Sequence, residues 1–500
     1  MRAIQRSLLS LLVLLAWPIV VHAQQDSPST LAATFEVRPQ AVQGFELEDG
    51  IPHLGSLYGS FVSEVFEPGW EFIAVGVTWQ RALPAGVTPL LEVRVGADGQ
   101  AWSEWIALPR GEDDAPDGVG ATFTHLLFVQ GRQVQLRAAL ANLTGQMVAW
   151  EGLRLTVIDG RPGPTAQELR AQMGPSSPED GPTIISRQQW GADESLRFDS
   201  YGNEIWPREY YSMRAFFVHH TASAPSEPDP AAAVRSIYYY HAVTNGWGDM
   251  GYHYVIDQYS NIYHGRYGAE ENGLVVEGGH ALGYNRNTMG ISVIGNFVSA
   301  PPGGASVQAL KDLLTHRAVR YTINPLASVL LDGVGDISPD RWFDDSILGH
   351  RDSHNPPRTT CPGDALYALL PEIRGYVYDL VTEPPVVSLA SPPDHSLLDG
   401  MFSVRADTTD NVVRVEYFLD GSLIAASNAP PWSAQVDSRS LPAGGYILRA
   451  EGRTAYGTIA GDEHTVTIAV ATPGGESMSP LRQASVSRDP APPATPRYSG

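Results

Sequence analysis

Apolar and polar residues alternate, one for one, along much of the first third of the chain. The run from Leu91 to Val95 alternates apolar and charged side chains, and residues 153–157 repeat the pattern. Turn-forming residues such as Asp98-Gly99 separate these runs at short intervals. A period of two places successive side chains on opposite faces of a strand, and closely spaced turns are typical of antiparallel sheets. Residues 31–160 are therefore predicted to form a β-sandwich.

Paired tryptophans lie within this region. The alternation is predicted to continue, after a turn, into the stretch Trp102-Ser103-Glu104-Trp105. Tryptophans in such a position more often fill the core of a hairpin. They also make the β domains candidates for contact with carbohydrate, and both interpretations stay open at this point.

A different periodicity begins after residue 160. Residues 161–181 are rich in Pro and Gly and are predicted to be a linker with one helical turn. From 182 to 380, helices with apolar residues three or four positions apart alternate with short apolar strands. The predicted helices start at Asp229-Pro230, at Val307 and at Leu366, and the predicted strands are 215–218, 252–256 and 291–294. This pattern predicts an α/β domain.

Strand alternation returns in the last part of the chain. Residues 384–472 contain the alternating run from Val413 to Leu419, which ends in the hairpin signal Asp420-Gly421. The opening Pro-Pro-Val-Val-Ser-Leu and the stretch Tyr-Phe-Leu-Asp-Gly resemble the immunoglobulin-like modules appended to bacterial surface and secreted enzymes. Residues 473–500, rich in Pro, Ser, Ala and Arg, are predicted to be a disordered tail.

The first residues have the composition of an export signal. Arg2 and Arg6 precede an apolar run from Leu8 to Val21, and Val21-His22-Ala23 is suited to cleavage. A membrane anchor is the alternative, but the run is short and no basic residues follow it. Residues 1–23 are therefore predicted to be a cleaved signal peptide, and we expect no membrane span in the mature chain.

The net charge of −22 repels polyanions, so nucleic acid is not an expected partner.

Three clusters in the α/β domain carry candidate metal ligands: His219-His220, His350 and the only cysteine, Cys361. A catalytic zinc needs three protein ligands, and imidazole and thiolate are among its preferred donors. The clusters are too far apart in the sequence to form a compact zinc motif, and 14 histidines allow chance groupings. On composition alone, a lone cysteine is more simply a small buried hydrophobe. From spacing, both interpretations stay open.

A family resemblance favours the metal site. From Ile184 to about Val377, the chain resembles the peptidoglycan recognition protein family, which shares its fold with the type 2 N-acetylmuramoyl-L-alanine amidases and the phage T7 lysozyme. The matching stretches occur in the family's order and are Ile185–Ala192, Val218–Ala222, Ile237–His241, Asn245–Tyr252, Ile262–Arg266, Gly279–Asn285, Met289–Ile291, Gly349–Asp352 and Thr359–Tyr367. The resemblance implies a mixed β-sheet flanked by helices.

The same resemblance assigns roles to individual residues. It implies that His219, His350 and Cys361 bind Zn²⁺, and that His220, which points the other way from a strand, is structural. It places the catalytic tyrosine at Tyr252 and an assisting residue at Thr359. Further positions match the family's substrate groove, although each could equally make a structural hydrogen bond: Trp247, Arg266, His280 and Asn285.

Two departures from the family pattern are visible. Residues 353–358 lengthen the loop between His350 and Cys361, and they place His354 where it could compete as a ligand; the prolines that follow argue against this. After Arg266 the chain has Tyr267-Gly268. Some animal members carry a different pair there that sorts diaminopimelate from lysine peptidoglycan. Both stem-peptide types therefore stay open.

The sequence thus predicts a secreted or cell-envelope protein, extracellular or periplasmic. Its predicted activity is zinc-dependent hydrolysis of the lactyl–L-alanine amide of peptidoglycan. The expected partner is peptidoglycan, with cell-wall carbohydrate contacted through the β domains, and we expect a monomer. A peptidoglycan-binding protein without turnover and an adhesive surface protein are the alternatives. Many relatives that only bind lack the cysteine, so Cys361 favours catalysis.

Overall fold

The computed structural model describes residues 30–469, apart from 98–100, 112–113, 118–121, 174–180, 224–228, 336–337, 383 and 455–458. The predicted signal peptide at 1–23 and the predicted tail at 473–500 lie outside the described residues. Contacts divide the chain into two compact units, one containing the described residues up to Pro385 and the other most of those from Val386 onward. Each unit is treated by itself.

The N-terminal part of the first unit is built from antiparallel strands. They are β1 (Leu31–Glu36), β2 (Glu46–Glu48), β3 (Ile51–Leu54), β4 (Tyr58–Phe66), β5 (Phe72–Thr78), β6 (Val87–Gly96), β7 (Ile106–Ala107), β8 (Leu127–Gly131), β9 (Gln133–Asn142), β10 (Val148–Ala149) and β11 (Arg154–Asp159). The main sheets have the orders β1-β11-β5-β8 and β4-β9-β6-β7. Their inner faces share an apolar core that includes Phe61, Val77, Val93 and Trp150, so the predicted β-rich fold is confirmed.

The tryptophan pair of this domain differs from its prediction. Residues 102–105 are not in a strand, and β7 begins only at Ile106. The guanidinium of Arg94 lies 4.8 Å from the ring centroid of Trp102 and 4.8 Å from that of Trp105. Cation–π packing on Arg94, and not pairing within a strand, therefore holds these rings. Carbohydrate contact through them stays a prediction.

The α/β part of this unit has a mixed central sheet with the order β12-β16-β15-β19-β14-β22. The strands of the α/β part, including those outside the central sheet, are β12 (Ile184–Ile185), β13 (Tyr210–Tyr211), β14 (Ala215–His220), β15 (Tyr254–Ile256), β16 (Ile262–His264), β17 (Glu270–Glu271), β18 (Leu274–Val276), β19 (Thr288–Val293), β20 (Val329–Leu331), β21 (Arg341–Phe343) and β22 (Ile347–Gly349). Its helices, with the linker helix first, are α1 (Ala166–Gln172), α2 (Arg187–Trp190), α3 (Pro230–Tyr239), α4 (Gly304–Arg320), α5 (Asp364–Tyr367) and α6 (Leu370–Thr382).

Helices cover both faces of this sheet. Leu310 and Leu314 of α4, with Ile373 of α6, pack on one face in the same apolar cluster as Phe216 and Val218 of β14. Val234 and Ile237 of α3 pack on the other face with Val255 and Tyr263. Because side chains alternate along β14, His219 and His220 project to opposite faces of the sheet.

The N-terminal domain and the α/β domain share an apolar core. Ala74, Phe128 and Ile158 belong to the same buried cluster as Val234 and Ile237 of α3. Polar contacts also join the two domains. The hydroxyl of Tyr240 donates to the Thr124 carbonyl at 2.9 Å, and Nε of Arg235 donates to the Gly160 carbonyl at 2.6 Å. The two domains therefore form one unit.

The second unit is a β-structure by itself. Its strands are β23 (Val387–Ser391), β24 (Ser396–Leu398), β25 (Met401–Thr408), β26 (Val412–Leu419), β27 (Ser422–Ser427), β28 (Ser433–Asp437), β29 (Gly444–Thr454) and β30 (Ile459–Ile468). The sheet orders are β23-β25-β28 and β24-β30-β29-β26-β27. The predicted Asp420-Gly421 turn joins β26 to β27, which pair antiparallel. Across the described residues, no helix combines the length and the apolar character that a membrane crossing needs.

Candidate metal centre and active site

Strand pairing brings the first two candidate ligands together. Strands β14 and β22 run parallel, and Val218 pairs with Gly349. His219 and His350 follow these two residues directly, so they leave neighbouring strands at the same level. Their ring centroids lie 4.5 Å apart. Parallel pairing thus joins two motifs that lie far apart in the sequence.

The third candidate ligand arrives on the turn before α5. The Arg351 backbone N–H donates to the Cys361 carbonyl at 2.9 Å, which fastens the cysteine turn to the histidine turn. The His220 backbone N–H points at Cys361 Sγ at 3.4 Å. A backbone donor at that position stabilises negative charge on sulfur. The sulfur lies 3.7 Å from Nδ1 of His219.

The donor set fits a zinc ion. Within the described residues, His219, His350 and Cys361 form a group whose ligand atoms all lie within 4.8 Å of one another. The three residues are 0%, 0% and 3% exposed. Neither ring nitrogen of His350 has a hydrogen-bond partner among the described residues. Buried orphan nitrogens are costly unless a cation binds them.

Protonation states agree with that fit. Burial lowers the pKa of His350 to about 3, so its imidazole is neutral at pH 7 and offers a lone pair. Burial also raises the pKa of the Cys361 thiol well above its ordinary value, with Asp114 as the next cause. A thiolate therefore forms here only beside a cation, and a coordinating metal removes that proton outright.

Tyr252 lies next to the histidines. Its ring centroid is 5.3 Å from that of His219. Burial, followed by the charges of Asp114 and Cys361, raises the tyrosine pKa well above its ordinary value. The hydroxyl stays protonated at neutral pH and is able to donate a hydrogen bond. Thr359 makes a different contact, because its Oγ1 accepts from the Cys361 backbone N–H at 3.1 Å.

His280 contacts the metal set from behind. Its Nδ1 lies 3.3 Å from Nε2 of His219, the nitrogen turned away from Cys361. Such a contact fixes the tautomer and the ring orientation of a ligating histidine. The Asn285 side-chain oxygen accepts from the backbone N–H of His280 at 2.7 Å, so it holds the segment that carries His280. Trp247 is buried and packs edge-on against Phe123, with 5.4 Å between centroids.

Arg266 has the contacts of a structural ion pair. The residue is 1% exposed, and its Nη1 lies 2.9 Å from Oδ2 of Asp249. Arg187 Nη1 lies 2.9 Å from the other oxygen of the same carboxylate. The guanidinium of Arg266 also lies over the Trp206 ring, at 3.8 Å. The substrate contact predicted for Arg266 stays a prediction.

The remaining histidines of the motifs have partners outside the metal group. His220 Nδ1 accepts from the Phe297 backbone N–H at 3.1 Å, on the α4/α6 side of the sheet. His354 Nε2 lies 3.2 Å from the Ser338 hydroxyl, and its Nδ1 lies 3.0 Å from that of Ser353. Both rings are thus positioned by protein groups.

One residue at the site has no counterpart in the sequence prediction. Oδ1 of Asp114 lies 3.3 Å from Nδ1 of His350 and 3.5 Å from Nδ1 of His219. Asp114 belongs to the N-terminal domain and lies in the loop between β7 and β8. The acidic run Glu112-Asp113-Asp114 was visible in the sequence, but no local pattern connects it to motifs in another domain.

Replacing His280 with alanine is expected to weaken zinc binding about 10- to 100-fold, the usual cost of losing such a partner of a ligand. Competition with a chromophoric chelator measures the affinity. His280→Gln retains an acceptor and should recover part of it, whereas the control His264→Gln should leave it unchanged. An unaltered zinc affinity with a raised KM would instead assign His280 to substrate alone.

The fold and the cluster define the class: a multidomain protein whose α/β domain brings two histidines, from the carboxyl ends of paired strands, together with a cysteine from the turn before α5. The family described as N-acetylmuramoyl-L-alanine amidase matches residues 209–364, and the family described as bacterial Ig domain matches residues 385–450. The chain belongs to the peptidoglycan recognition protein and type 2 amidase family. The predicted family and fold class are confirmed.

Two relatives and one solved structure illustrate what the chain is similar to. The human N-acetylmuramoyl-L-alanine amidase is 37% identical over 158 residues, which is 31% of this chain and 23% of that protein. The chain therefore spans about a quarter of that relative's length. Peptidoglycan-recognition protein SC2 of Drosophila melanogaster is 32% identical over 145 residues, 29% of this chain and 71% of that protein. The solved structure of wild-type Drosophila PGRP-LB is 28% identical, covers 37% of this chain and 91% of that one, and has a TM-score of 0.28.

Proposed function

We propose that this protein is a zinc-dependent N-acetylmuramoyl-L-alanine amidase that hydrolyses the amide between the lactyl group of muramic acid and L-alanine. The observation that carries the proposal is the buried group of His219, His350 and Cys361, whose ligand atoms lie within 4.8 Å of one another. Membership in a family of peptidoglycan amidases and recognition proteins supports the substrate class. Peptidoglycan lies outside the cytoplasmic membrane, so we place the protein in the extracellular space or periplasm. We also propose that it is a monomer.

The chain's own residues suit this chemistry. His219, His350 and Cys361 would hold the zinc ion, which in such sites polarises the scissile carbonyl and activates a water. Tyr252, which remains protonated, would donate to the oxygen that gains negative charge. His280 keeps the His219 ring in one orientation, and Thr359 fixes the turn that carries Cys361.

Digestion of purified sacculi tests the proposal. We expect the zinc-loaded protein to release peptides with free L-alanine amino ends and no new reducing sugar ends. Tyr252→Phe should lower this rate about 100-fold, the scale on which loss of one such donor acts. Its zinc content should stay normal. Release of reducing ends in place of amino ends would contradict the proposal and indicate a glycosidase.

A binding protein without turnover is the second candidate, because peptidoglycan recognition proteins are among the relatives. Both candidates predict that the protein sediments with sacculi. Turnover by the wild-type chain and its loss in Cys361→Ser separate them.

A further inference from the structure

The loop between β7 and β8 of the N-terminal domain reaches the metal centre of the other domain. Asp114 is 4% exposed. Its Oδ1 has no hydrogen-bond partner among the described residues, although ring nitrogens of both candidate histidine ligands lie within 3.5 Å of it. Its Oδ2 lies 3.8 Å from Nδ1 of His125. A buried carboxylate oxygen that faces two imidazole rings without hydrogen bonds lacks a cation.

Distances at the site match one coordination sphere. A tetrahedral zinc with Zn–N of about 2.0–2.1 Å and Zn–S of about 2.3 Å separates its ligand atoms by roughly 3.3–3.6 Å. Asp114 Oδ1 lies 3.3 Å and 3.5 Å from the two Nδ1 atoms, and Cys361 Sγ lies 3.7 Å from that of His219. The separations of Asp114 from the two histidines suit neighbouring ligands, so the carboxylate would take the position that a catalytic zinc keeps open.

The residues that follow Asp114 are built into the domain beneath them. Asn285 Nδ2 donates to the Ala115 carbonyl at 2.8 Å and to Oδ1 of Asp117 at 2.8 Å. The Gly283 N–H donates to the same Asp117 oxygen at 2.6 Å. A Cβ at Gly279 would lie 2.9 Å from Pro116, so only glycine admits this approach. The segment 114–117 is therefore seated by specific contacts.

We propose that Asp114 is a fourth protein ligand of the metal, and that segment 114–117 closes the active site against substrate. This inference rests on the proposed zinc centre and adds its regulation. The segment engages the groups that the family resemblance assigns to the groove: Asn285 by hydrogen bonds, and Trp247 through Ala115 and Phe123 in one apolar cluster.

The cavity beside Asp114 is too small for a muropeptide. A cavity of about 30 Å³ lies beside Asp114, lined in part by His125, His241 and Tyr252. Small-molecule sites usually hold about 300–1,000 Å³. The closed form of the site is thus inactive, and turnover comes from the fraction of molecules in which the carboxylate has left the metal. The shared apolar core of the two domains makes movement of the loop cheaper than separation of the domains.

Cobalt substitution tests the inference with the full-length protein. Co²⁺ in the zinc site has visible bands that report its ligands, and azide binds only where a coordination position is open. We expect azide to leave the wild-type spectrum unchanged and to shift the bands of Asp114→Asn and Asp114→Ala. The control Glu104→Gln, an exposed carboxylate of the same domain, should behave as wild type.

Three further measurements are expected to change in opposite directions. Loss of a ligand should weaken zinc binding in the Asp114 variants, while opening of the groove should raise sacculus binding and the initial amidase rate about tenfold or more, because apparent affinity scales with the open fraction. Misfolding would lower all three. Asp114→Asn preserves the shape of the side chain, so this variant is less prone to misfolding than Asp114→Ala.

The outcomes separate this inference from the proposed function. A wild-type protein that binds neither cobalt nor zinc would overturn the metal centre itself. Cobalt binding with the same azide response in wild type and Asp114 variants would overturn the ligand assignment and leave the amidase proposal standing. An azide-responsive variant whose amidase rate does not rise would confirm the ligand and refute the closure.

Discussion

Cys361→Ser is expected to lower the amidase rate at least about 1,000-fold, because the Lewis acid it removes is worth several kcal/mol and each 1.36 kcal/mol is tenfold. Zinc content should fall at the same time. The fold should survive, since the turn that carries Cys361 is fastened through backbone groups of Arg351 and Thr360. Metal analysis, sacculus digestion and thermal unfolding measure the three effects.

Alanine provides the sharper comparison at this position. If the thiol were only a small buried hydrophobe, Cys361→Ala would be nearly neutral for activity. If it is a ligand, the alanine and serine variants should lose amidase activity alike. Added zinc should then restore the activity of the wild-type protein after chelation, but not that of either variant. Normal zinc content and rate in Cys361→Ala would remove this residue from the site.

Asp249→Ala is expected to destabilise the α/β domain by about 3–5 kcal/mol, the cost of removing one partner from a buried ion pair. Its carboxylate faces Arg187 and Arg266 at 2.9 Å each and also accepts from the backbone N–H groups of Met250 and Tyr267. Without Asp249, the buried Arg266 guanidinium keeps its positive charge but has no carboxylate to pair with. Calorimetry should show the transition of this domain lowered by roughly 10 °C, from about 2–4 °C per kcal/mol.

An ion pair of the same domain whose carboxylate is exposed is the matched control. Glu372 is 67% exposed and lies 2.8 Å from the Lys311 ammonium. Glu372→Ala should cost less than about 1 kcal/mol, because solvent screens surface pairs. Equal shifts in the two variants would contradict the structural role assigned to Asp249. A loss of sacculus binding in Asp249→Ala at temperatures where it is folded would point to Arg266 as a substrate contact.

Local patterns predicted the elements of this fold well where an element is buried in the core. The helix predicted from Asp229-Pro230 begins at Pro230, and the strand predicted for 215–218 spans Ala215–His220. Residues 102–105 illustrate the opposite case, because Arg94 and Arg137, from two other strands, pack on the tryptophans. Propensity has little influence where a distant side chain supplies the packing.

The sequence by itself determined which residue types can hold a metal, and the motif order pointed to His219, His350 and Cys361. Their convergence depends on the pairing of β14 with β22, which the motifs implied only through family resemblance. Tertiary structure alone decided that Arg266 pairs with Asp249 and that His280 supports His219. It also decided that Asp114, from another domain, faces the centre. The physical reason is that metal coordination and buried charge pairing depend on distances between side chains. In a chain of several domains, folding sets those distances between residues whose local sequences do not indicate one another.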